Sequence, residues 1–312
     1  MPELFLHHYA TSPFSEKLRL VLGYKKLAWN SVIVPQLMPK PDVLALTGGY
    51  RKTPFLQVGA DIYCDTLLIC DVLEHLQPEP SIYPEPSKGL ARIIAQWADT
   101  HLFWASMAHN FSPKGAAEIF GDAPPETVKA FADDRRAMSV NMVRLRPADA
   151  TGAYKSYLRR LSDMLDAGPY LLGEVPTIAD FAAYHPLWFT RKRTPSMSDI
   201  LQFTPAVGEW MDRMAGIGHG TFTKSDADTA IAQAAASVPH TLLTDSTFQD
   251  EHGIALGSRV TIAGESFGPE AAEGALVAAT RTHYTLERSD PRAGTVHVHF
   301  PRIGYVLRKV EG

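Results

Sequence analysis

The stretch Arg51–Asp71, RKTPFLQVGADIYCDTLLICD, decides how the chain is read. Thr53-Pro54 opens a short apolar run, Phe55-Leu56-Gln57-Val58, and Gly59-Ala60-Asp61 is a turn signal. Ile62-Tyr63-Cys64 is a second short run, and Asp65-Thr66 opens the helical pattern Leu67, Leu68, Val72, Leu73. The spacing predicts strand, tight hairpin, strand, helix. Proline has no N–H to give a sheet ladder, so at the head of a strand it marks an edge or a special turn. An X-Pro bond is also the one common site of a cis peptide. Asp65-Thr66 puts a carboxylate, a hydroxyl and free backbone N–H groups at one corner. Such a corner can hold a small zwitterion, its carboxylate on the N–H groups and its ammonium on Asp65.

Upstream, Leu4 to Tyr9 reads as a strand and Ala10 to Pro13 as a loop. Phe14 to Tyr24 reads as a helix, with Leu18, Val21 and Leu22 on one face and Glu16 and Lys17 on the other. Pro13 suits a first helical position. Trp29 to Val34 is a β-branched run and a second strand. A Pro/Gly-rich segment follows, with a short helix around Asp42 to Leu46. Over residues 1–77 the order is β-α-β, loop with helix, then β-β-α, which is thioredoxin-like, with a right-handed β-α-β unit. The segment from Gln77 to Pro86 holds four prolines and reads as a linker.

Residues 87–218 read as helices: one carrying Ile93, Ile94, Trp97 and Leu102, then Pro124–Leu145, Tyr154–Leu165, Ile178–Trp188 and Leu201–Met214. Thr177-Ile178-Ala179-Asp180 has capping-box spacing, with Val175 and Phe181 in staple positions. Residues 219–240 are rich in Gly, Ala, Ser and Asp and predict no element. From His252 the pattern turns strand-like, with runs at 259–263, 276–280, 283–286, 295–300 and 304–308. These predict a small antiparallel β module over 241–312, with a barrel as one form it could take. The expected fold class is an α/β thioredoxin-like domain (1–77), an all-α domain (87–218) and an all-β module (241–312).

The chain has 312 residues, 45% hydrophobic and 21% charged, enough for a sizeable core. A net charge of −4 argues against general nucleic-acid binding, which needs clustered Lys and Arg. Cys64 and Cys70 do not form a CxxC, which points to a reducing compartment. The start MPELFLHHYA does not read as a signal peptide. No apolar run approaches the ~20 residues of a membrane span. The expectation is a soluble cytoplasmic protein without membrane or nucleic-acid partners.

Thr-Pro before a strand, then Asp-Thr at the next helix, resembles the glutathione-binding half of cytosolic glutathione transferases. Ser12-Pro13-Phe14-Ser15, followed by a helix bearing Lys17 and Arg19, looks like the serine- and cysteine-type members. That family also carries a capped helix in the middle of its helical domain. The resemblance covers about the first two-thirds of the chain and leaves the β module without a role. It implies a cis proline at Pro54, with Thr53 pairing by its backbone to the cysteinyl part of glutathione. It also implies that Asp65 and Thr66 hold the γ-glutamyl end, that Lys40 reaches the glycyl carboxylate, and that the backbone of Lys52 points near the same ligand. Glutathione is then substrate or cofactor, a hydrophobic electrophile the second substrate, detoxification the setting and a homodimer the assembly.

Ser12 is the candidate thiol activator: its hydroxyl can donate to a thiolate, and the helix dipole favours the anion. A serine at a helix start also serves as an ordinary cap. Tyr9 is the rival, since some members use a tyrosine after the first strand. With the family's cysteine absent, mixed-disulfide chemistry is not expected. His7 and His8 alternate on a strand, one expected in the core and one facing solvent or the site. His297 and His299 share a strand face, half a metal site, and no metal is expected. Trp97, His101, Trp104, His109, Phe111, Trp188 and Phe189 are candidates for an apolar pocket or for core. Two other functions remain open: a non-catalytic member of the fold whose tail binds a partner, and a glutathione-dependent isomerase or ether-cleaving enzyme.

Overall fold

A computed structural model describes residues 2–143, 145–243 and 245–311. The first unit holds β1 (Phe5–His8), α1 (Pro13–Tyr24), β2 (Trp29–Ile33), α2 (Pro41–Thr47), β3 (Phe55–Val58), β4 (Asp61–Cys64) and α3 (Thr66–Leu76). β1 runs parallel to β2 and antiparallel to β3, and β3 pairs antiparallel with β4. This is the thioredoxin-like arrangement read from the order of elements. Pro13 sits at the start of α1, where its missing N–H has no helical partner to lose.

The helical unit comprises α4 (Lys88–Trp97), α5 (Phe103–Asn110), α6 (Pro113–Phe120), α7 (Pro125–Met138), α8 (Pro147–Met164), α9 (Ile178–Arg193), α10 (Asp199–Gln202) and α11 (Pro205–Gly216). A π-helical turn, Ala98–Leu102, joins α4 to α5. Three expectations need correction here. The helix expected over Leu201–Met214 is two, because Pro205 starts α11 afresh. α7 stops at Met138 instead of reaching Leu145. The carbonyl of Met138 accepts Gly268 N–H at 2.8 Å, and Val140 and Val143 beyond it are 70% and 94% exposed. The staple at α9 is half-formed: Phe181 is buried, but Val175 stays outside the core.

Residues 219–240 are not structureless. They form β5 (Phe222–Ser225), parallel to β2, and α12 (Ala227–Ala235). Ala230 and Ala234 are fully buried, and these small residues let the helix lie close against its neighbours. The Gln57 amide donates to the Ala230 carbonyl at 2.7 Å, and Gln57 Oε1 meets His7 Nε2 at 2.9 Å. This changes the expectation for the strand histidines. His7 stacks on Phe55 while His8 meets Ser31 and Arg19, and both are buried because both faces of the sheet are covered.

The tail forms β6 (Arg259–Gly264), β7 (Ala272–Ala279), β8 (His283–Asp290), β9 (Gly294–Pro301) and β10 (Tyr305–Lys309), antiparallel in the order β10-β6-β7-β8-β9. They do not close into a barrel. β9 pairs parallel with β4, with Asp61, Ile62 and Tyr63 opposite His297, Val298 and His299. The free edge of the thioredoxin-like sheet is thereby covered, and one ten-stranded open sheet runs from β10 to β5 among the described residues. The seam carries a buried polar pair: His299 Nε2 lies 2.8 Å from Asp61 Oδ1, and His240 N donates to Asp61 Oδ2 at 2.5 Å.

Two cores result. One joins β1, α1 and α3 to the helical unit through Leu6, Leu18, Ile69, Phe181 and Trp210. The other, on the opposite face, joins α2 and α12 to the tail strands through Leu46, Ile62, Ile231, Leu276 and Phe300. Cys64 and Cys70 are buried free thiols. No helix is long and apolar enough to cross a membrane, among the described residues.

Candidate functional site

Thr53-Pro54 is a cis peptide at the head of β3, and Thr53 Oγ1 finds no partner among the described residues. At the end of the hairpin, Asp65 sits at φ +75°, one of two non-glycine residues with positive φ among those described. Such a backbone is costly for a side-chain-bearing residue and clusters at functional positions. Asp65 Oδ1 accepts Leu67 N–H at 3.0 Å and so caps α3. Thr66 Oγ1 accepts from Lys17 Nζ at 3.1 Å, which leaves the threonine proton free to donate. Lys17 is fully buried and bridges onward to Asp99 Oδ2 at 2.5 Å, and Asp99 Oδ1 lies 2.9 Å from His185 Nε2. This chain ties α1 and α3 to the π-turn and α9. Lys17 and His185 hold the Asp99 carboxyl low against the upward pull of burial.

Ser12 is buried at the start of α1. Its hydroxyl accepts Ser15 N–H at 3.2 Å, and its own N–H donates to the Tyr9 carbonyl at 3.2 Å. The Tyr9 hydroxyl lies within hydrogen-bonding reach of Ser12 and of Arg135 from α7, and burial raises its pKa, so it stays protonated. The favoured activator and its rival are thus neighbours. Serving as a cap does not consume the Ser12 proton, which the neighbouring Tyr9 oxygen can accept.

Lys40 is buried, not solvated in a loop, and its ammonium donates to the Arg51 carbonyl at 3.2 Å. Burial, with Arg135 and Arg51 nearby, draws its pKa down to about 8. Arg51 pairs with Asp134 of α7 at 2.5 Å and with Glu270 at 2.5 Å. Asp134 also pairs with Arg135. Lys40, Arg51 and Arg135 therefore gather with Asp134 and Glu270, three cations to two carboxylates.

Phe267 packs on Trp104 with centroids 5.1 Å apart, and Gly268 N–H holds the end of α7. Tyr305, on β10, donates to Asp65 Oδ2 at 3.0 Å, and Tyr50 Oη accepts Asp65 N–H at 3.2 Å. The acidic corner is thus partly filled by the protein's own groups. Two surface hollows, of about 320 and 440 Å³, involve none of these residues.

The aromatic candidates divide. Trp104, Trp188 and Phe189 join a cluster with Phe103, Met107 and Phe14, and Phe14 follows Ser12 by two positions. Phe111 stacks with Phe131 and Phe189. Trp97 packs on Tyr157, His109 pairs with Thr151, and His101 is exposed. His297 faces Glu287 while His299 is buried on Asp61, and no group of three or more ligating residues among those described could hold a metal. Sequence reasoning missed Tyr50, Arg51, Arg135, Glu270 and Tyr305. Arg51 alone carried a signal, standing beside the Thr-Pro motif.

Comparison with known proteins now bears on this geometry. Residues 6–81 match the glutathione S-transferase N-terminal domain, and residues 134–213 match the C-terminal domain. A GST-like protein from Pseudomonas syringae is 40% identical over 99% of this chain and 100% of its own, with a TM-score of 0.81. That match includes the tail strands. The chain therefore belongs to the glutathione S-transferase superfamily. A glutathione transferase from Phanerochaete chrysosporium matches over 69% of this chain and 97% of its own at 17% identity and TM-score 0.55. The beta-etherase LigF from a Sphingobium species does so over 68% and 94% at 18% identity and TM-score 0.52. These two share the fold. No curated protein matches the chain.

Proposed function

We propose that this chain binds glutathione along β3 and the start of α3 and lowers the pKa of its thiol through Ser12, directing the thiolate at a hydrophobic electrophile. The observation that carries this reading is Ser12 itself, buried at the N-terminus of α1 with its hydroxyl capping the first turn beside the Tyr9 hydroxyl. A thiolate placed there gains a hydrogen bond from Ser12 and the favourable end of the helix dipole. The γ-glutamyl ammonium would meet Asp65, its carboxylate the Thr66 hydroxyl, and the cysteinyl backbone Thr53 beside Pro54 and Lys52. The glycyl carboxylate would meet the cluster around Lys40. The electrophile would lie against Phe14, Phe103 and Trp104. The same site would serve glutathione-dependent isomerisation or ether cleavage. A cytoplasmic homodimer fits the family, and Leu90 and Ile93 leave an apolar stripe exposed on α4.

The test is conjugation of glutathione to a general electrophile. Ser12→Ala should lower kcat/KM by roughly 10- to 100-fold, the worth of one hydrogen bond to a charged group. Tyr9→Phe should change it little. A full rate in Ser12→Ala with a loss in Tyr9→Phe would reverse the assignment. The second reading, a non-catalytic member, is favoured by the Tyr305 hydroxyl on Asp65. Calorimetric glutathione binding without turnover on several electrophiles would select it.

A further inference from the structure

The tail strands bring a tyrosine to a carboxylate 240 positions earlier, and a lysine lies between them and a second tyrosine. Lys52 Nζ is 4.6 Å from the Tyr305 ring centroid and 5.2 Å from that of Tyr50. Both are cation–π distances. The two rings stand 6.5 Å apart and inclined by 33°, their hydroxyls within reach of each other and of Asp65. Asp65 and Glu270 both act on the ammonium electrostatically.

The β6–β7 turn is shaped around this lysine. At Gly268, with φ +71°, a Cβ would come within 2.9 Å of Lys52 Cδ. At Gly264 a Cβ would lie 2.8 Å from the Phe267 and Gly268 carbonyl oxygens and 3.3 Å from Lys52 Nζ. Glycine at both positions leaves the room that the lysine stem and head occupy.

Two aromatic faces and a carboxylate can hold an amino-acid α-ammonium. We infer that Tyr305, Tyr50 and Asp65 form an ammonium cage whose occupant in this structure is the chain's own Lys52, and that a γ-glutamyl ligand enters by displacing it. The tail module thereby supplies a residue that determines how strongly the ligand's amino group is read. The inference rests on the glutathione reading above, and names a wall and an internal competitor within that site. An ammonium held in place by the fold lowers the apparent affinity of the one that must replace it.

The experiment compares glutathione with glutaryl-cysteinylglycine, which lacks only the α-amino group, by calorimetric titration of the full chain. Lys52→Met should tighten glutathione about tenfold by removing the competitor and leave the analogue unchanged. Adding Tyr305→Leu to that variant should then shrink the advantage of glutathione over the analogue several-fold. Thermal melts report folding, and Lys52→Gln replaces Lys52→Met if that variant does not fold. Equal shifts for the two ligands, or none, would overturn the cage and leave glutathione binding intact. Binding of neither ligand by wild type or any variant would overturn the glutathione reading and the cage with it.

Discussion

Asp180 and Asp65 both serve the first turn of a helix, and they are built differently. Asp180, at the start of α9, is fully buried and surrounded by donors. It accepts from Thr177 N and Leu171 N, each at 2.8 Å, from Trp210 Nε1 at 2.9 Å and from Thr177 Oγ1 at 3.1 Å. Asp65, at the start of α3, is partly exposed and sits on a strained backbone. It accepts from Leu67 N and from a tyrosine hydroxyl supplied by a distant strand. A carboxylate has about four acceptor sites. Asp180 has spent its own on the fold, joining α9, α11 and the segment at Leu171 at one point. Asp65 keeps capacity for a ligand. The residue type is the same, but Asp65 is the cap of its helix and Asp180 the third residue after a threonine cap, and the surroundings leave one carboxylate saturated by the fold and the other not.

Asp180→Ala tests the first half of this contrast and should have the largest effect. It strands buried N–H donors from Thr177, Leu171 and Trp210, which should cost ~3–5 kcal/mol of unfolding free energy. A loss near zero in chemical denaturation would mean that the donors find other partners.

Asp65→Asn tests the second half. It retains an acceptor and tolerates positive φ, so stability should change by less than ~1 kcal/mol. The glutathione Kd should rise roughly 30- to 100-fold as the charge facing the ammonium is lost, about 2–3 kcal/mol. An unchanged Kd with a large loss of stability would put Asp65 in the same class as Asp180.

A dependence on pH accompanies Asp61, a second carboxylate of the structural kind. Burial lowers the pKa of its partner His299, and holds His7 and His283 at about 4. Each is neutral when folded, whereas the unfolded chain takes up protons near pH 6.5. Stability from these groups is therefore full above that pH and is lost as pH falls towards 4, at ~2 kcal/mol by pH 5 for each of His7 and His283. Denaturation midpoints at pH 7 and pH 5 measure this, and His299→Gln should flatten the slope. A pH-independent midpoint would show that these imidazoles are solvated.

Much of the architecture was legible locally. The hairpin from Thr53 to Cys64 lies where alternation and Gly59 place it, and the box at Thr177 and Asp180 marks the start of α9 to the residue. The failures have physical causes. α12 is built from alanines whose packing, not periodicity, makes the helix, so composition alone suggested a loop. α7 ends early because the Met138 carbonyl is claimed by Gly268, a contact across 130 positions. The tail strands were visible as strands, but alternation specifies a face and not a partner.

By itself, then, the order of residues determined the transferase-type framework. It also identified the helix-start serine, the proline-headed strand and the Asp-Thr corner, because caps, turns and strand heads depend on neighbours a few positions apart. The tertiary structure alone decided that β9 extends the sheet through β4, that Arg51 and Arg135 gather beside Lys40, and that Tyr305 reaches Asp65 over Lys52. Apart from Lys40 and Arg51, those contacts join segments separated by 84 to 253 positions. They depend on which free strand edge and which buried face remain once each unit has folded, and no short window of sequence contains that information.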